Sequence, residues 1–372
     1  MKIVHIATSA VPIGHRFGGA LQRRVMEMGR LQAAAGHDVA VLSPADHDGV
    51  ETVDGVEIHH LHLRSRRPAR DYEMLFRARH RLGNRRSNDV LHAHGAPIAA
   101  TALRSRFSAT VHSVDYFRYR GSATRPGHAY YAARLADFDL HLAASAYCAA
   151  EFSAFYPRVA DDTRVLYNGV NRHQFRHDEH ATGRVRRDLG LPAGPLVVYL
   201  GRICAQKGSD LLASLAVALR QSLPDAAVVA AGPPEQFTRT RSSGLMDTLT
   251  HAGVHCLGAV DETSVAGLLG AASVCVLPTR RDEMFGMAAL EAIACGTPVV
   301  AADLGGIPEA VGPCALLFPA GDTAAFIDSV QRLLRDSRLA ESLRQRGTQH
   351  VERFQWSAIV EDCMSHYAEA LR

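Results

Sequence analysis

Along the whole chain, short runs of consecutive apolar residues alternate with longer stretches in which apolar positions recur every three or four residues. Ile3–Thr8, Val39–Ser43, Val56–Leu63, Val90–His94, Ala109–His112, Leu140–Ala144 and Arg164–Tyr167 read as strands. After a polar stretch the pattern restarts with Leu196–Leu200, Ala227–Ala231, His255–Leu257, Val274–Leu277, Pro298–Ala301 and Ala315–Phe318. These runs are continuous rather than alternating, which predicts strands covered on both faces, as in parallel sheets between helices. The break at His173–Pro195 is rich in His, Arg, Asp, Gly and Pro and reads as a linker. The expected architecture is α/β, with doubly wound Rossmann-like domains at 1–172 and 196–354. The terminal segment 355–372 places Ile359, Val360, Cys363, Met364, Tyr367 and Leu371 at helical spacing, a further amphipathic helix expected to pack back toward the first domain.

A length of 372 residues with 47% hydrophobic and 21% charged residues supplies two cores and excludes disorder as the main state. No apolar run has the length of a membrane span and Met1-Lys2 opens no signal-peptide pattern, so a cytoplasmic location is expected. Seven cysteines form no CxxC pair and sit in apolar runs, which points to reduced core thiols. Only two of the 41 basic residues, Lys2 and Lys207, are lysines; with abundant Ala and scarce Asn, this suggests GC-rich bacterial coding. Residues 1–172 hold 23 basic and 16 acidic groups, a balance of +7, and the remainder 18 and 22, a balance of −4.

In doubly wound sheets ligands collect where loops leave the carboxyl ends of strands, and the unusual residues lie there. Gly201-Arg202-Ile203-Cys204-Ala205-Gln206-Lys207-Gly208 follows the run Leu196–Leu200. Arg202 and Lys207, five residues apart, can direct a planar fork and a point charge at one diphosphate. A lysine in a chain that otherwise uses arginine sharpens that reading. Glu283-Met284-Phe285-Gly286-Met287 follows Val274–Leu277 and a loop, and leads into Ala288-Ala289-Leu290-Glu291. A helix starting near Gly286 would aim its first N–H groups at a phosphate. Glu283 just before it is placed for a reacting sugar, and Glu291 for ribose hydroxyls. Read singly, Glu283 is better taken as a capping carboxylate and Glu291 as a solvated helix residue, and it is the pair bracketing a Phe-Gly turn that points to a site. Phe17-Gly18-Gly19-Ala20 allows close backbone approach but lacks the dinucleotide spacing. Of 20 histidines, His92, His94 and His112 lie at strand ends, where an imidazole can donate to a sugar hydroxyl or an oxyanion. His59, His60 and His62 read as surface positions and Asp46-His47-Asp48 as a turn, so no metal ligand set is expected.

Taken together, these motifs resemble the retaining glycosyltransferases of family GT4, with the GT-B fold. Leu200-Gly201-Arg202 with Lys207-Gly208 resembles the family's donor-phosphate loop, and Glu283 through Glu291 its E-x7-E motif. Cys295-Gly296-Thr297-Pro298-Val299-Val300-Ala301 and Gly305-Gly306-Ile307-Pro308-Glu309 resemble the strand and turn that follow it. Asn168-Gly169-Val170 and Gly18-Gly19 resemble N-terminal-domain positions. Met284 stands where the family often has Gly, and Ala231-Gly232-Pro233-Pro234 where it has a Gly-x-Gly-Pro turn; both leave the donor open. The resemblance implies two domains facing a central cleft and a hexosyltransferase-type enzyme using a nucleotide-diphosphate sugar as co-substrate, with no cofactor. Arg202 and Lys207 would neutralise the leaving diphosphate, and Glu283 and His112 would contact the sugar. Gly18, Gly19, Phe285, Gly286, Met287, Ala288 and Glu291 would bind the donor. The implied mechanism is front-face and metal-independent.

The alternatives are a GT-B nucleotide-sugar epimerase and a non-catalytic GT-B partner protein; an NAD-dependent oxidoreductase lacks the glycine fingerprint. The acceptor is expected to be a small molecule or glycan. Nine arginines between Arg64 and Arg86 accompany an expected helix, Tyr72–Leu82, with Met74, Leu75, Ala78 and Leu82 interleaved. Such a helix fits peripheral contact with the inner membrane face or a solvated surface. Nucleic acid is not expected, since aromatic and basic residues are not interleaved.

Overall fold

In the computed structural model, which describes all but residues 8–11, 14–18, 66–68, 82–88, 96–99, 102, 115–124, 235–242 and 282, the chain divides into two units. One comprises Met1–Gly169 with Trp356–Arg372, the other Val170–Gln355.

Among the described residues the first unit holds β1 (Lys2–Ile6), β2 (Asp38–Ala45), β3 (Gly49–Val53), β4 (Val56–His62), β5 (Val90–His94), β6 (Ala109–Ser113), β7 (Leu140–Ala143) and β8 (Thr163–Val165). They form one sheet in the order β3-β4-β2-β1-β5-β6-β7-β8. Every neighbouring pair is parallel except β3 with β4. β5 and β6 are buried at every position, as continuous apolar runs require. The edge strand β3 has no fully buried residue and so left no apolar run to read. Its mark is the hairpin turn Asp54-Gly55, where both residues have positive φ, +49° and +79°. The terminal helix Trp356–Ala370 belongs to this unit, with Ile359, Cys363 and Tyr367 buried.

The second unit holds β9 (Leu196–Leu200), β10 (Ala227–Ala231), β11 (His255–Gly258), β12 (Val274–Leu277), β13 (Val299–Asp303) and β14 (Ala315–Pro319). The sheet order is β11-β10-β9-β12-β13-β14, all parallel, so chain order reverses between β9 and β12. Val197, Val228, Val274, Val276 and Val300 pack with Leu212, Leu215, Phe326 and Val330 of the covering helices.

The stretch 173–195 is not a free linker. It lies within the second unit and carries a helix, Glu179–Asp188, whose start is capped by the Asp178 carboxylate accepting from the Ala181 N–H at 3.0 Å. Val185 is buried, and Arg186 donates to the carbonyls of Pro192, Gly194 and Ala271. Phe175 is buried as well, so two widely spaced apolar residues and one guanidinium dock the stretch, too few to leave a periodic pattern.

The arginine-rich segment forms the helix Ala69–Arg81, with Met74 and Ala78 fully buried beside Leu61, Leu63 and Leu91. Two of the four apolar positions read as a membrane face therefore belong to the core. Arg77 pairs with Glu73 and Asp48. Leu82 lies outside the described residues. No helix among those described is long and apolar enough to cross a membrane.

Candidate functional site

The reversal of strand order between β9 and β12 leaves a crevice outside their carboxyl ends, where doubly wound sheets bind ligands. The loops that meet there are those expected to carry the chemistry. The β9 loop turns through Ala205–Lys207 and ends at Gly208, with φ +69°. A Cβ at Gly208 would stand 1.7 Å from the Pro278 carbonyl oxygen, so only glycine lets the β9 loop close on the β12 loop. The Arg280 N–H donates to the Gln206 carbonyl at 3.0 Å, and the Arg280 guanidinium pairs with Asp210 at 2.8 Å.

This closure brings together residues 76 apart in sequence: Lys207 Nζ donates to Glu283 Oε2 at 2.6 Å. Both side chains are mostly buried, at 20% and 16% exposure, which strengthens the attraction over that of a surface pair. Arg202 opens the same loop and is held through its backbone. The hydroxyl of Tyr199, a residue of β9, donates to the Arg202 carbonyl at 2.5 Å. Tyr199 is buried, which pushes its hydroxyl pKa up and keeps it a donor. Sequence reasoning passed over Tyr199, although its place two residues before the glycine turn was a usable signal.

The helix expected near Gly286 runs from Met287 to Ala294, with Gly286 at its N-cap and no side-chain cap. The Ala289 N–H turns back onto the Gly286 carbonyl at 3.0 Å, which leaves the N–H groups of Met287 and Ala288 at the positive end of the helix dipole without an acceptor within the helix. Ala288 lies in this first turn and Met287 is buried. Phe285 turns its ring into the core, edge-on to Phe354 at 5.6 Å, so its backbone is what it can offer a donor. Glu291 is buried rather than solvated, on the second turn. Burial, and after it the Glu291 charge, pushes the Cys275 thiol up to about 12 and raises Cys295 as well. Both therefore stay thiols at neutral pH.

The remaining candidates lie in the first unit. Gly18 falls outside the described residues. Gly19 caps the helix Ala20–Ala34. His112 is fully buried in β6, its Nδ1 3.1 Å from His141 Nδ1, with Phe138 and Phe152 beside the ring. The open strand-end position expected for it is thus a packed one. Burial also depresses His141, to about 4.

His5, His92 and His94 meet where β1 and β5 pair, with ring nitrogens within 4.8 Å of one another. His5 donates through Nε2 to Gln32 at 2.8 Å, and its Nδ1 lies 2.9 Å from His94 Nε2. His92 is bracketed by the hydroxyls of Tyr367 at 2.6 Å and Ser113 at 2.8 Å. The His92 and His94 rings stack at 4.0 Å with planes 31° apart. Both ring nitrogens of His5 and of His92 and the Nε2 of His94 are engaged in these contacts, so the three rings form one buried hydrogen-bond network. Burial lowers all three pKa values, His5 to about 4.

Residues 194–336 match the family described as Glycosyl transferases group 1, and residues 17–174 match Glycosyltransferase Family 4. The D-inositol 3-phosphate glycosyltransferase 1 of Catenulispora acidiphila is 30% identical over 306 residues, covering 76% of this chain and 72% of that protein. The D-inositol 3-phosphate glycosyltransferase of Saccharomonospora viridis is 32% identical over 227 residues, 58% of this chain. The match spans about half the length of that protein, 52%, and of its Jonesia denitrificans counterpart, 54%. Among solved structures, sucrose-phosphate synthase of Thermosynechococcus elongatus superposes with a TM-score of 0.80 at 24% identity, covering 99% of both chains. Anabaena HepE in complex with UDP-glucose does so at 0.79 and 18%, covering 99% of this chain and 100% of that one. These two likenesses establish the GT-B fold.

Proposed function

The chain belongs to glycosyltransferase family 4, and on that premise we propose that it moves a sugar from a nucleotide-diphosphate sugar to an acceptor hydroxyl with retention of configuration. The observation that carries this reading is the Lys207–Glu283 pair at the strand-order reversal, flanked by Arg202 and an open helix N-terminus. Arg202, Lys207 and the first N–H groups of the helix Met287–Ala294 bind the diphosphate and stabilise the charge it gains as its bond to the anomeric carbon breaks. The acceptor oxygen forms the new bond on the same face and passes its proton to the departing diphosphate. Glu283 holds sugar hydroxyls and favours the positive charge at the anomeric carbon; Glu291 holds the ribose. This chemistry needs no metal ion.

UDP-sugars are the first donors to test, because HepE was solved with UDP-glucose, and inositol phosphates the first acceptors, given the names of the relatives. Thermal-shift screening of UDP, GDP and ADP, followed by product analysis with a radiolabelled UDP-sugar, decides the matter. Label moving to the acceptor with retained configuration, undiminished by EDTA, is expected. Label in a free sugar or an epimer, or no nucleotide binding, would overturn the proposal in favour of an epimerase or a non-catalytic protein.

A further inference from the structure

Glu283 lies between β12 and the following helix, outside any regular element. Its peptide is held instead by the turn that leaves β13. The Gly306 N–H donates to the Glu283 carbonyl oxygen at 2.9 Å. Gly305 has φ +62°, and a Cβ there would stand 2.2 Å from that oxygen and 3.5 Å from the Glu283 nitrogen, where real Cβ atoms stay beyond 3.0 Å. Gly286 closes the same seam, since a Cβ at its φ of +97° would meet Ile307 Cγ1 at 3.3 Å. The two backbones therefore touch directly, and the carboxylate carried by this peptide ends on Lys207.

We propose that the Gly305–Gly306 turn is the positioning element of the Glu283–Lys207 pair, with glycine required at 305 so that the Gly306 N–H can reach and fix the Glu283 peptide. Any side chain at 305 forces the turn and that peptide apart by at least 0.8 Å, from 2.2 Å to the 3.0 Å limit. A reacting constellation tolerates only about 0.5 Å. The consequence for catalysis rests on the glycosyltransferase reading; the positioning itself does not.

The chain has two lysines, Lys2 and Lys207, so acylation of each is readable by peptide mass spectrometry with Lys2 as internal reference. An ammonium held on a carboxylate acylates slowly, because reaction needs its lone pair free. Glu283→Gln sets the scale, raising the Lys207/Lys2 rate ratio by about two- to fivefold. Gly305→Ala is expected to give the same rise. Gly306→Pro removes the N–H and sets the ring Cδ against the Glu283 carbonyl oxygen, at a φ of −82° that proline adopts, and should raise the ratio too. Gly296→Ala carries the same left-handed strain, φ +76°, with nothing within 4 Å of the added Cβ, and should leave the ratio unchanged. With a working donor, Gly305→Ala should also lower kcat by about ten- to a hundredfold while KM for the donor stays within about twofold. Wild-type ratios in folded Gly305→Ala and Gly306→Pro, or no change in Glu283→Gln, would overturn the proposal. Failure of the wild type to turn over any nucleotide sugar counts against glycosyl transfer instead, and the acylation ratio still decides the positioning.

Discussion

Replacing Lys207 with alanine separates the two roles assigned to its ammonium. In the resting protein Nζ sits 2.6 Å from Glu283 Oε2, with both side chains mostly buried. Removing it leaves a part-buried carboxylate without that donor, which costs about 1 kcal/mol, the upper end for a pair still in contact with solvent. For a unit of this size that lowers Tm by about 2–4 °C. In the transition state the loss is larger, because a preorganised cation at a developing charge contributes about 3–4 kcal/mol, or 10²–10³ in turnover. Calorimetry and turnover at saturating donor measure the two quantities. Lys207→Ala/Glu283→Gln supplies the control, since removing the carboxylate charge should restore the lost stability without restoring turnover. If Lys207→Ala retains more than about a third of wild-type turnover, or the double variant regains activity, the assignment of Lys207 to the leaving group is wrong.

Buried neutral imidazoles make the first unit acid-sensitive. His5 and His141 titrate near 4 in the fold against 6.5 when free, so the unfolded chain binds more protons between those values and stability falls as pH drops through that window. Each contributes a loss of roughly 2 kcal/mol by pH 5, and a Tm that stays flat from pH 7.5 to pH 5 would contradict this. Gly208→Ala forces a Cβ against the Pro278 carbonyl and should destabilise by about 2–4 kcal/mol, against about 1 kcal/mol for the unobstructed Gly296→Ala, in urea unfolding. Phe354→Ala removes the ring on which Phe285 packs and should cost about 3–5 kcal/mol by the same measurement. With Met74 and Ala78 in the core, two of the apolar positions of the helix Ala69–Arg81 are already occupied, so co-sedimentation with anionic vesicles should find no binding at low or high salt; salt-sensitive pelleting would restore the membrane reading.

The sequence alone determined two parallel α/β folds, the places of β9 and β12, and the helix that starts after Gly286. Burial on both faces writes itself into consecutive apolar residues, and a turn writes itself into glycine. It also singled out Lys207, Glu283 and Glu291, since their charges stand out in loops and helices that follow buried strands. Where a buried surface is small or absent, the local pattern failed. The edge strand β3 shows no apolar run, and the stretch 173–195 docks through the isolated residues Phe175, Val185 and Arg186. Only the tertiary structure decided which residues become neighbours. Lys207 meets Glu283 because β9 and β12 pair across the reversal of strand order, Gly305 reaches the Glu283 peptide from β13, and His112 is enclosed by His141, Phe138 and Phe152. Each of these contacts joins residues tens of positions apart, so the periodicity that reveals an element carries no record of the partner it meets.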